Sequence, residues 1–490
     1  MTMTNRFDDH KLIHDPNLEG VWGAIARRFP ERGALAAALI SELEEGLELL
    51  GGLPPAVTFF GGARIKRDDP YYGAAETMGE ILAERGIPPR TGAGPGIMSA
   101  VPEGFRQRLR ELGGMDETAA ATAEAEASSS AEPNGSEPTT GRARMLSQGF
   151  NIRLPFEQSI NPSIDVSLEL THFPTRKLVL WKNALGIVIF PGGFGTLDEL
   201  LEVWRHKQRG RLNLPLVLFG RDFWGELKDG MRRASERHSR VALTKDDMRL
   251  LQMTDDPEET LTTIDCPHTN PPFPEDLSRT GRRMAAELVE ALYYLESLRP
   301  AVTFLGGSLH EETDETIRIA ESVAERLARE GVPTRAGGPG ALSTALAQGG
   351  HRGAPTLPQQ GFGMRRADLP NIYRADRVHI VEDRLTHKVL LTENARAFVA
   401  LPGGLGTLDE LFSILCQLQT RKIPYRRVVL IGPSFWEPIW ETIANQMLTG
   451  ARSTIASADL DMVTITDDPA EVTRLCLEPP KPPPAKDRHR

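Results

Sequence analysis

Pro191-Gly192-Gly193-Phe194-Gly195-Thr196-Leu197-Asp198-Glu199 joins two apolar stretches, Gly186-Ile187-Val188-Ile189-Phe190 before it and Leu197 to Trp204 running on from it. The β-branched run bounded by Gly and Pro predicts a buried strand, and the periodic run a helix. A glycine turn between them leaves backbone N–H groups exposed at the positive end of the helix dipole. That is a seat for an anion, best suited to phosphate. The same nine-residue pattern returns as Pro402-Gly403-Gly404-Leu405-Gly406-Thr407-Leu408-Asp409-Glu410. One strand–turn–helix unit is therefore used twice.

Outward from these turns, each half repeats the same order. In the first, a helical stretch over 34–50 precedes the strand Ala56-Val57-Thr58-Phe59-Phe60, which runs into Gly61-Gly62. A helix from Tyr71 to Glu84 follows, then the turn Gly92-Ala93-Gly94-Pro95-Gly96, a helix from Ile97, and a strand expected over Leu168–Phe173. The second half gives a helix over Met284–Leu295, the strand Ala301–Leu305 with Gly306-Gly307, and the turn Gly337-Gly338-Pro339-Gly340. Alternating strands and helices predict an α/β fold, a parallel sheet with helices on both faces in each half. The offset between halves is 244 residues at Pro95 and Pro339 but 211 at Pro191 and Pro402, so the first half carries 33 extra residues. Most of these belong to 115–142, an Ala-, Glu- and Ser-rich segment too poor in large apolar side chains to offset its chain entropy, and expected to be disordered. The expected plan is an N-terminal extension (1–33), a first domain (34–265), a linker (266–282), a second domain (283–476) and an unfolded tail (477–490).

Composition narrows the function. With 490 residues, 40% hydrophobic and 25% charged, the chain is of soluble multidomain type, and a net charge of −10 argues against nucleic-acid binding. Cys266, Cys416 and Cys476 are far apart and in no C-x-x-C spacing, which predicts neither disulfides nor a metal site and fits a reducing compartment. Met1 to Pro16 has no signal-peptide core and no run approaches the length of a membrane span, so a cytoplasmic protein is expected.

Strand ends in an open parallel sheet share one edge, so Gly61, Gly62, Gly94 and Gly96 should converge with the organising turn on one ligand. The rival reading is steric, since tight connections need glycine anyway. No turn ends in Gly-Lys-Ser/Thr, and Pro95 with the close Gly96 spoils a dinucleotide fingerprint, which disfavours hydride transfer. Thr196 and Glu199 fit a capping box, or Glu199 faces the bound ligand; spacing leaves both open. Arg176-Lys177 sits on a helix before the organising strand, 211 residues from His387-Lys388; a single such cation is ordinarily a solvated one.

Pro-Gly-Gly-x-Gly-Thr-x-x-Glu, preceded by the Arg-Lys helix and by the Phe-Gly-Gly and Gly-x-Gly-Pro-Gly turns, resembles the Lonely Guy (LOG) family, long labelled possible lysine decarboxylases. The likeness covers about 50–240 and again 298–450. It implies Rossmann-like domains, a dimer, and hydrolysis of the N-glycosidic bond of nucleoside 5′-monophosphates without cofactor or metal. It further implies that Gly192, Gly193, Gly195 and Thr196 hold the phosphate, that Lys177 belongs to the substrate site, and that Arg176 and Glu199 are the catalytic pair. A carboxylate beside the ribose would stabilise the oxocarbenium-like transition state and activate water. Arg176 is too basic to donate a proton readily and would orient Glu199 and substrate.

The second half keeps Lys388, Gly403, Gly404, Gly406, Thr407 and Glu410, but His387 replaces the arginine, with Arg384 near enough on the helix to substitute in part. This site is expected to bind nucleotide but turn over poorly. The repeat would make the chain an internal pseudo-dimer, open to further assembly. The competing function is a non-catalytic nucleotide sensor or carrier using the same turns.

Overall fold

The computed structural model describes residues 30–113, 145–155, 159–238, 243–264, 277–306, 310–365, 374–449 and 452–479. The insertion 115–142, the first 29 residues of the extension, most of the linker, Gly307 and the tail from 480 lie outside the described residues.

The first half runs α1 (Pro30–Gly51), β1 (Ala56–Phe60), α2 (Pro70–Arg85), β2 (Pro89–Thr91), α3 (Ile97–Glu111), β3 (Gln148–Ile152), β4 (Val166–Leu170) and α4 (Phe173–Trp181). It continues with β5 (Ala184–Ile189), α5 (Phe194–Gln208), β6 (Leu216–Phe219), α6 (Arg221–Arg237), α7 (Lys245–Arg249), β7 (Gln252–Thr254) and α8 (Pro257–Ile264). The second half repeats this with α9 (Leu277–Glu296), β8 (Ala301–Leu305), α10 (Glu315–Arg329), β9 (Thr334–Ala336), α11 (Ala341–Gly353), β10 (Gln360–Met364), β11 (Arg377–Val381) and α12 (Arg384–Thr392). Then come β12 (Ala395–Ala400), α13 (Leu405–Gln419), β13 (Val428–Leu430), α14 (Pro433–Ile443), α15 (Ser457–Leu460), β14 (Val463–Ile465) and α16 (Pro469–Leu477).

Each half is a seven-stranded, all-parallel sheet of the same order, β4-β3-β2-β1-β5-β6-β7 and β11-β10-β9-β8-β12-β13-β14. These are two Rossmann-like domains. The central strands β1 and β8 are buried at every position, as strands covered by helices on both faces must be. The strand expected over Leu168–Phe173 ends at Leu170, and Phe173 opens α4, because Pro174 at the start of a helix fits the first turn better than a ladder. Both halves bury one arginine in the same way. Arg90 and Arg335 each use Nε on the glutamine of the next strand (Gln148, Gln360) and Nη1 on carbonyls at the end of the following helix.

The halves share a core. Leu197, Leu200, Leu201 and Trp204 of α5 lie in one apolar cluster with Leu408, Leu411, Phe412 and Leu415 of α13. Phe194 meets Phe412 edge-on at 5.9 Å between ring centres. The pairs α6–α14 and α1–α9 pack alongside. The helices that begin at the two glycine turns are thus the centre of the molecule, and each turn faces the other half.

Candidate active site

The first-half turns meet at the carboxyl edge of the sheet. The Gly62 N–H donates to the Pro191 carbonyl (2.9 Å), and the Ile97 N–H donates to that of Gly62 (3.3 Å). A Cβ on Gly96 would lie 2.2 Å from the Gly62 oxygen, and its φ of +68° is left-handed, so glycine alone lets these two turns touch. Gly61 packs on the Ile97 side chain and Gly94 is buried in the same loop.

At the organising turn, α5 starts at Phe194 with Gly193 as its N-cap and no side-chain cap. Thr196 is therefore inside the first turn and cannot be the capping residue. Its hydroxyl sits where a Cβ on Gly192 would fall (2.1 Å), holding the turn in shape. Glu199, freed from capping, pairs with Arg176 of α4: Nη2 to Oε1 is 2.5 Å, with only 11% and 4% of the side chains exposed. Phe173 lies under the guanidinium at 5.1 Å. Burial raises the Glu199 pKa above its ordinary value against the pull of Arg176 and Lys177, which brings this carboxyl toward the range useful for acid–base work.

The second half closes over this turn. The Thr454 carbonyl and Ile455 side chain approach Gly193 so closely that a Cβ there would lie 2.7 and 3.0 Å from them, and the Cys416 sulfur stands beside Gly195. Arg452, just upstream, bonds Asp69 (2.5 Å) and stacks over Tyr71 (4.2 Å), which ties this segment to the loop after β1.

Lys177 does not reach the turn. Its ammonium is buried on Asp198 (2.5 Å) and Glu202 (2.9 Å). Burial alone would lower its pKa, but Asp198, Glu202 and Glu199 hold it well above the ordinary value. Lys388 mirrors it across the interface, on Glu202 (2.6 Å) and Asp409 (2.8 Å). Oxygens of Asp198, Glu202 and Asp409 lie within 4.8 Å of one another, a spacing a metal could use, but the two ammonium groups already sit among them. No metal is assigned to them. Nor do these lysines suit a pyridoxal Schiff base, because each is buried and bound by two carboxylates.

The second site keeps its turn but not its pairing. Gly404 caps α13 with the same extended geometry as Gly193, and Thr407 sits against Gly403 as Thr196 does against Gly192. Arg384, expected to stand in for the missing arginine, is instead bonded to Asp409. His387 gives its Nε2 proton to the Gly337 carbonyl (3.2 Å), leaving Nδ1 3.8 Å from Glu410 and without a hydrogen-bond partner. Burial lowers the His387 pKa to about 4, so the ring is neutral at ordinary pH. The cation on Glu410 is Arg205 of the first half: Nη1 lies 3.3 Å from Glu410 Oε1, 3.0 Å from Asp409 and 3.1 Å from the Gly406 carbonyl, its guanidinium flat against Gly406. Arg205 and Glu202 were not singled out from the sequence. The available signal was their replacement by Cys416 and Ser413 at the 211-residue offset.

A cleft of about 690 Å³ opens in the second half at Gly340 and Ala341, lined by His310, Glu312, His351 and Arg374. At the matching positions the first half has Arg67 and Glu103, joined in an ion pair, where the second half has Glu312 and Ala347. His310 Nε2 donates to the Pro402 carbonyl (2.7 Å), so the cleft adjoins the second phosphate turn.

Two curated relatives are both named cytokinin riboside 5′-monophosphate phosphoribohydrolase. That of Rhodococcoides fascians is 28% identical over 155 residues, 31% of this chain and 77% of its own length. That of Mycobacterium marinum is 42% identical over 57 residues, 12% of this chain and 29% of its own. Among solved structures, the molybdenum cofactor binding protein of Rippkaea orientalis is 13% identical, with 43% of this chain and 96% of that one covered and a TM-score of 0.28. A structural-genomics target is 19% identical, covering 43% and 98%, with a TM-score of 0.26. The family model described as possible lysine decarboxylase matches residues 115–264 and 344–476. With one match in each half and both phosphate turns inside them, the chain belongs to that family, the LOG family.

Proposed function

We propose that this chain is a phosphoribohydrolase that cleaves the N-glycosidic bond of a purine nucleoside 5′-monophosphate, releasing the free base and ribose 5-phosphate. The observation that carries the reading is Glu199: a buried carboxyl of raised pKa, fixed by Arg176 one helical turn from an anion seat. A phosphate held by the amides of the 192–196 turn puts the ribose beside that carboxyl. As the C1′–N bond breaks, positive charge grows on the ribose, and Glu199 stabilises it and takes a proton from the water that forms the new C1′–O bond; the base leaves with the bonding pair and is protonated at that nitrogen, which restores the balance. Arg176 fixes the carboxyl's orientation and remains charged throughout. The names of the two curated relatives support the same substrate class.

The test is free-base release from a panel of nucleoside monophosphates, AMP first. Release by the wild type that falls sharply in Glu199→Gln supports the reading. Thermal stabilisation by nucleotide with no base released from any member would select the sensor or carrier role instead. The reaction would suit the cytoplasm; among the described residues no helix is long and apolar enough to cross a membrane.

A further inference from the structure

The two sites differ in where their arginine comes from. In the first, Arg176 reaches Glu199 from α4 of the same half. In the second, the same helix position is His387, whose neutral ring spends its one proton on Gly337 and turns a bare nitrogen toward Glu410. A lone pair facing a carboxylate cannot orient it. Arg205 does, from α5 of the other half, and it is itself fixed, since Asp409 binds Arg205 and Arg384 at one oxygen. The equivalent of Arg205 is Cys416, which offers the first site no charge. Each site thus has one guanidinium on its glutamate: the first from within, the second from across the interface.

We propose that the second half is a second centre for the same reaction, with Arg205 as the positioning residue for Glu410. This rests on the phosphoribohydrolase reading and extends it to a site whose own helix lacks the arginine. Three features fit a working centre better than a relic. The turn at Gly403-Gly404 has the geometry of the first, Glu410 is as enclosed as a catalytic carboxyl should be, and the open cleft lies on this half. Glu410 faces Arg205 from α5, His387 and Arg384 from α12, and its neighbour Asp409 on α13. Arg205 is the only one of these cations bonded to it among the described residues.

Two measurements on the full chain test this. Calorimetry with ribose 5-phosphate should find two binding events per chain, one in Arg205→Gln, and two again in Arg205→Gln/His387→Arg, where the arginine returns to its helix. In turnover, Glu199→Gln should keep base release at least about tenfold above Glu199→Gln/Glu410→Gln. Adding Arg205→Gln should remove that excess, and adding His387→Arg to that variant should restore it. A structural loss alone would not be rescued by His387→Arg, and circular dichroism checks that each variant folds. A single binding event in the wild type, a second event indifferent to Arg205, or residual release in Glu199→Gln no greater than in the double glutamate variant would overturn the proposal. If the wild type releases no base at all, the hydrolase reading fails by itself, and the Arg205-dependent second binding event is judged by calorimetry alone.

Discussion

Glu199 is asked to be charged while buried, and its environment sets the pH at which that happens. Burial raises its pKa and Arg176 opposes the rise, so the acid limb of kcat/KM should lie above pH 4.5, the ordinary value for the group. Removing the cation in Arg176→Met leaves only Lys177 to oppose burial. The limb should then move to higher pH and kcat fall, by about 10²–10³-fold if orientation is lost as well. A limb that stays in place would show that Arg176 does not act on Glu199. His387 makes the opposite demand. Its folded pKa is depressed to about 4 from about 6.5, so the folded state binds fewer protons than the unfolded chain between those values. The stabilisation is complete above pH 6.5 and is lost as pH falls toward 4. Urea unfolding at pH 7 and 5 should show His387→Asn losing roughly 2 kcal/mol less than the wild type on acidification. His206, depressed to about 4 by burial in the same interface, adds a slope of the same sign that both proteins share.

At the scale of the elements, the sites depend on turns that touch one another. Gly96→Val should be among the most damaging substitutions outside the charged pair, because its side chain would meet the Gly62 carbonyl and its backbone is left-handed. The expected cost is about 2–4 kcal/mol, read in urea, with loss of ribose 5-phosphate binding; Gly113→Ala, also at positive φ but open to solvent, should cost less than half as much and leave binding intact. Much of this element was legible beforehand. The run Gly186 to Phe190 could only be a doubly covered strand, and the repeated glycine turn marked where a helix would begin. The role of Glu199 was not legible, because Thr-x-x-Glu has the same spacing whether it caps a helix or lies inside it. Only the observed start of α5 at Phe194 decides between the two. The place of Lys177 is not legible for a related reason: a helical position fixes which way a side chain leaves the backbone, not that two carboxylates of α5 await it. Arg205 is the hardest case, since its partners are about 200 residues away and nothing in local periodicity points to them.

Across the whole molecule, five cations and five carboxylates meet where α5 and α13 cross: Arg176, Lys177, Arg205, Arg384 and Lys388 with Glu199, Asp198, Glu202, Asp409 and Glu410. Charges this deep are tolerable only if each has a partner, so removing one strands another. Glu202 holds Lys177 from its own half and Lys388 from the other, making it the bridge between the two sets. Lys388→Met leaves Asp409 with Arg205 and Arg384, but leaves Glu202 with Lys177 alone. It should destabilise by about 3 kcal/mol. Glu202→Met should do likewise by leaving each lysine with one carboxylate, Lys177 with Asp198 and Lys388 with Asp409, whereas the double variant should cost clearly less than the two together, with a coupling of about 1–3 kcal/mol. Because the apolar core is continuous across the same surface, the wild type should unfold in a single transition, and the coupling should appear in its midpoint. Two separate transitions in the wild type, or additive single variants, would mean that the halves are merely adjacent. In that case the geometry that brings Arg205 to Glu410 would lack the rigid frame it requires.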